Sequence, residues 1–154
     1  MEKQRTPFDC GIATLANTLS ISYAEALNHY GQEKQTQGVS IQQTASILFA
    51  LGYSPIYIPF QGFAKASGIA MQTASPTILE TLGHPAILQV LTTSGQIHQV
   101  FFDGKKIHDP APHITHPKEL EDYDCVDALF VIKNSEALGC KKAFDSPVVP
   151  EVAL

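Results

Sequence analysis

The stretch DCGIATLANTL, residues 9–19, reads as an amphipathic helix with a cysteine in its first turn. Ile12, Leu15, Ala16 and Leu19 recur at i, i+3, i+4 and i+7, and Asp9 is a residue type favoured at an N-cap. Unpaired backbone N–H groups and the helix dipole favour an anion at such a position, which is the environment a thiolate nucleophile needs. Helical signals continue downstream. Ser22 with Glu25 and Ser40 with Gln43 are capping boxes. The first opens a helix that Gly31 ends, and the second opens a helix that buries Ile41, Ala45, Leu48 and Leu51 before Gly52 stops it. Pro55 to Phe60 predicts a strand that its prolines confine to a sheet edge. Ser75-Pro76 supplies the N-cap and first position of a short helix through Leu82, closed by Gly83.

From Pro85 the hydrophobic period changes. Residues 86–91, 97–102, 106–107 and 128–132 form short β-branched or aromatic runs, with turns at Thr93-Ser94-Gly95 and Asp103-Gly104. Lys118 to Tyr123 reads as one helical turn. Helices that precede an antiparallel sheet predict an α+β fold. A chain of 154 residues is one domain on the usual scale, here residues 1–144, with residues 145–154 as a tail that holds two prolines and little periodicity.

Composition narrows the function classes. With 44% hydrophobic and 16% charged residues the chain is of the globular type rather than the disordered one. The formal charge is −5, and the only basic pairs are Lys105-Lys106 and Lys141-Lys142, which argues against a nucleic-acid surface. No run approaches the roughly 18 apolar residues of a membrane span. The polar start, Met1 to Arg5, leads into the first helix without a signal peptide, and a cytoplasmic location is expected. Three cysteines, Cys10, Cys125 and Cys140, are an odd number without CxxC spacing, so a zinc ribbon, a thioredoxin motif and a full disulfide framework are all excluded.

A base for Cys10 comes from the second half. If Asp103-Gly104 is a two-residue hairpin turn, opposed residue numbers sum to 207, and His98 then faces Asp109 on the same side of the ladder. A carboxylate there can orient the imidazole and hold its tautomer, which with Cys10 completes a nucleophile, base and orienting acid. The other histidines, His108, His113 and His116, sit among Pro110, Pro112 and Pro117 at a spacing that fits no known ligand pair. They are read as solvent-exposed loop residues, and no metal or cofactor is expected. Tyr53, Tyr57 and Phe60 are read as core or edge packing.

Gln4 followed by Asp9-Cys10-Gly11 resembles the N-terminal motif of the C39-type cysteine peptidases, papain-like enzymes that cut leader peptides after a double glycine. The resemblance continues through Gln37-Gly38-Val39-Ser40, Leu51-Gly52, Pro85-Ala86-Ile87-Leu88 ahead of His98, and Asp109-Pro110-Ala111, over about residues 4–133. It implies a papain-like fold, with N-terminal helices carrying Cys10 packed on a C-terminal antiparallel sheet carrying His98 and Asp109. It further implies Cys10 as nucleophile, His98 as general base and then acid, Asp109 as orienter, and Gln4 as an oxyanion donor. Gln4, so near the terminus, is expected to bury little. The activity implied is hydrolysis of a peptide or isopeptide bond after small residues such as Gly-Gly, in a cleft too narrow for bulky side chains beside the cut. The partner is then a peptide or protein substrate. The same three residues would also serve an acyltransferase or an amide deamidase, and a peptide-binding module without turnover is the alternative of a different class.

Overall fold

The computed structural model describes residues 1–134, and every structural statement below concerns those residues. The tail read at residues 145–154, together with Cys140 and the Lys141-Lys142 pair, lies outside them. Helix α1 spans Cys10–Leu19, so Cys10 is its first helical residue. Asp9 holds the N-cap position without capping: its backbone carbonyl accepts from Ile12 and Ala13, while its side chain turns back toward the preceding loop. There the buried carboxylate accepts the N–H groups of Arg5 at 3.1 Å and Thr6 at 3.0 Å, and the hydroxyl of Tyr23. The tight turn over 5–9 leaves those N–H donors without strand or helix partners, and a buried carboxylate is stable only where such donors gather.

The two capping boxes form as their sequence predicts. Ser22 opens α2 (Tyr23–Tyr30), its side chain accepting from the Glu25 N–H while Glu25 accepts from the Ser22 N–H at 2.8 Å. A short α3 (Lys34–Gln37) follows, which the sequence reading did not separate. Ser40 and Gln43 reciprocate in the same way to open α4 (Ile41–Ala50). Leu51, expected inside, is 41% exposed, because it lies one residue past the last helical turn and no longer shares the stripe of Ile41 and Leu48.

The strand read at 55–60 is β1 (Tyr53–Pro59), and it does sit at the sheet edge. After it come α5 (Gly62–Ser67), not anticipated, and α6 (Ile78–Leu82). The cap of α6 is Thr77 rather than Ser75, whose hydroxyl instead meets that of Thr77 at 2.9 Å. Strands β2 (Ala86–Leu91), β3 (Ile97–Phe102) and β4 (Ile107–His108), a 3-10 turn at Leu120–Asp122, and β5 (Asp124–Lys133) complete the order. The sheet has five antiparallel strands in the order β1-β5-β2-β3-β4. The fold is therefore α+β, although β1 returns to the sheet between helices rather than after them.

Alternation along the strands divides the interior. Ile87 and Leu129 face α1, α2 and α4, packing with Ile12, Leu15 and Leu48, while Leu88 and Phe130 face the other way with Phe60, Leu79 and Phe102. On the first face α1 is held against β3 at close range. The Thr14 hydroxyl donates to the Gln99 carbonyl at 2.9 Å, and a Cβ at Gly11 would lie 2.3 Å from a Val39 methyl carbon and 2.7 Å from Gln99 Oε1. This approach sets the start of α1 beside His98.

Candidate active site

The β3–β4 turn differs from the two-residue hairpin expected. The paired residues are Phe101 with His108 and Phe102 with Ile107, so opposed numbers sum to 209 and the loop runs from Asp103 to Lys106. Asp103 causes the lengthening. Its side-chain oxygen accepts both the Lys105 N–H at 2.9 Å and the Lys106 N–H at 2.8 Å, closing a turn that a two-residue loop has no room for. A slip of two residues preserves the face on which each side chain points, so His98 still reaches Asp109, now as a diagonal neighbour. His98 Nε2 lies 2.8 Å from Asp109 Oδ1. His108, expected in an exposed loop, belongs instead to β4, where it stacks on Phe101 and binds Asp103 through Nε2 at 2.6 Å. His113 and His116 are exposed as expected, and no cluster able to hold a metal is found among the described residues.

With Nε2 committed to Asp109, the remaining ring nitrogen Nδ1 is the one left for Cys10, whose side chain lines the same cleft and is among the groups that raise the His98 imidazole. The Gln99 N–H donates to the sulfur at 3.5 Å. Burial alone would push the His98 imidazole down, but the hydrogen bond to Asp109 and the nearby Cys10 side chain outweigh it and raise it from 6.5 to about 9. Asp109 feels burial in the opposite sense, and its hydrogen bonds to His98 and the Ala111 N–H bring it down to about 2.

These shifts set a pH window for stability. The raised His98 contributes fully below about 6.5 and loses that contribution as pH climbs to about 9, whereas the lowered Asp109 contributes above 3.8 and loses it toward 2. The destabilisation caused by Asp109→Asn, measured by urea unfolding, should be largest between pH 4 and 6.5, on the order of 1–3 kcal/mol, and shrink toward pH 9. A penalty that grows toward pH 9 would contradict the pairing.

Gln4 is half-buried rather than exposed at a frayed end: its N–H donates to the Pro110 carbonyl at 2.9 Å. Its side-chain Nε2 donates to the Thr6 carbonyl at 3.1 Å, and its Oε1 is buried without a partner. It lines, with Cys10, His98 and Asp109, a cleft of about 310 Å³. A larger cleft of about 750 Å³, bounded by Gly38, Val39 and Gln99, adjoins it, with Pro7, Cys10, Gln96 and Ile97 common to both.

One residue of the site escaped the sequence reading. Tyr123, at the end of the 3-10 turn, donates its hydroxyl to Asp109 Oδ2 at 2.8 Å, so both carboxylate oxygens are held. A separation of 14 residues across an irregular loop leaves no periodic signal that would join the two. Cys125 is a different kind of thiol, buried in the second core and pushed up to about 12 chiefly by that burial. No family model matches this chain, and a search of curated proteins returns no match either.

Proposed function

We propose that the chain is a papain-like cysteine hydrolase of C39 type that cleaves a peptide or isopeptide bond through an acyl-enzyme. One observation carries this reading: a cysteine at the first position of a helix lines one cleft with an imidazole whose Nε2 is 2.8 Å from a buried carboxylate. Cys10, its thiol proton passed to His98, attacks the carbonyl carbon, and His98 gives that proton to the departing amine. Water then attacks the thioester while His98 takes a proton from it, and the acid product leaves. Asp109 holds the ring in the tautomer this exchange needs, and Tyr123 and the Ala111 N–H hold Asp109. The first N–H groups of α1, which precede its first internal hydrogen bonds, supply the oxyanion site, with the Gln4 amide lining the same cleft. Two clefts that share Cys10 in their lining suit an extended chain that crosses the sulfur, cut after small residues such as Gly-Gly.

Alkylation with iodoacetamide, followed by mass mapping, tests the nucleophile without a known substrate. Cys10 should label at pH 6–7 while Cys125 does not, and His98→Ala should slow Cys10 labelling about tenfold or more. An unchanged rate in His98→Ala would remove the imidazole from the reading. A library of glycine-containing polypeptides then identifies the reaction by intact mass. Cleavage with a transient acyl adduct on Cys10 supports hydrolysis, and release of ammonia from glutamine without cleavage replaces it with deamidation.

A further inference from the structure

The residues ahead of α1 do more than lead into it. Lys3 Nζ donates to three main-chain carbonyls of one loop, those of Asp109 at 2.9 Å, Ala111 at 3.3 Å and Ile114. The neighbouring Gln4 N–H takes the Pro110 carbonyl of the same loop. On its other side the segment is tied to α1, where the Glu2 N–H donates to Asn17 Oδ1 at 2.6 Å and Asn17 Nδ2 donates to the Glu2 carbonyl at 2.9 Å.

The loop's own composition explains why a lysine is needed. Pro110 and Pro112 have no N–H, so residues 109–114 offer more carbonyl oxygens than donors. An ammonium carries three donors and no acceptor, and it can collect oxygens that converge on a point. A guanidinium, a planar fork, cannot reproduce that arrangement.

We propose that Lys3 is a positioning residue: by drawing the carbonyls of Asp109, Ala111 and Ile114 around one ammonium, it fixes the loop turn that aims the Asp109 carboxylate at His98. This inference rests on the reading of Cys10, His98 and Asp109 as the reacting set. The groups that face His98 are Cys10 from α1, Asp109 from the loop after β4, and His113 across the same cleft, with Tyr123 acting through the second Asp109 oxygen. Lys3 touches the backbone of Asp109 and not its carboxylate. Two roles for Lys3 therefore differ in sign. If it acts only as a nearby positive charge, removing it makes the imidazolium easier to form and His98 titrates higher. If it positions Asp109, removing it lets the carboxylate drift, and His98 titrates lower.

The test is an NMR titration of the full chain carrying isotope-labelled histidine, with the His98 signals assigned by their loss in His98→Asn. In Lys3→Met the His98 midpoint should fall by about one pH unit. A midpoint that stays or rises overturns the proposal. If circular dichroism shows Lys3→Met unfolded, Lys3→Arg is titrated instead, where a fall supports positioning and a wild-type or raised midpoint overturns it. No substrate is involved, so a chain that cleaves nothing yet shows the fall would sink the hydrolase reading and leave this one standing.

Discussion

Cys10→Ala and His98→Ala are each expected to lower kcat/KM by about 10⁶-fold, and the double variant should be no worse than either single one. The nucleophile and its base act as one unit: without the imidazole there is no proton for the leaving amine, and without the sulfur there is nothing for the imidazole to serve. Asp109→Ala should lose less, about 10⁴-fold, because His98 stays beside Cys10 in the cleft and lacks only its orientation. The measurement is single-turnover cleavage of the polypeptide found in the glycine library, with circular dichroism on each variant. Losses that multiply in the double variant would mean that Cys10 and His98 contribute separately, and the shared mechanism would fall.

What could be read in the sequence divides by distance along the chain. Cys10 at a helix start, the boxes at Ser22 and Ser40, and the edge position of β1 follow from neighbours within a few residues, where capping chemistry and the geometry of proline decide locally. The His98–Asp109 contact was legible although the turn was not. Parity along a strand survives a slip of two, and the extra residues in the Asp103–Lys106 turn changed the register without changing the face. Asp9 misled for the opposite reason: its residue type suits an N-cap, but Tyr23 and the N–H groups of the preceding turn compete for the carboxylate and win. Tyr123 and Lys3 were beyond reach because their partners lie 14 and 106 residues away in irregular backbone, where neither period nor motif relates them. Gln4 was named by resemblance alone, and its burial comes from a main-chain bond to Pro110 that no local pattern announces.

Gly11→Ala is expected to damage the site more than its size suggests. A Cβ at this position would sit 2.3 Å from a Val39 methyl carbon and 2.7 Å from Gln99 Oε1. Val39 is β-branched and stiff at χ1, and Gln99, 2% exposed, has its amide nitrogen committed to the Val39 carbonyl at 3.3 Å. Gln99 cannot swing aside and Val39 can yield only by leaving its preferred rotamer toward the cleft, so the start of α1 is pushed away from β3. Overpacking of this kind costs about 1–3 kcal/mol, a sizeable part of the stability of a small domain. Because Cys10 immediately precedes Gly11 while His98 precedes Gln99, the same displacement lengthens the distance between sulfur and imidazole. A misplacement of about 1 Å can lower turnover by about 10²-fold. Urea unfolding should therefore show a lower midpoint for Gly11→Ala, and His98-dependent alkylation of Cys10 should slow in parallel. Adding Val39→Ala removes the closer of the two clashing groups and should restore part of both, a non-additive cycle of the sort that touching residues give. Additive losses, or full stability with slow alkylation, would show that the approach of α1 to β3 does not set the position of the sulfur.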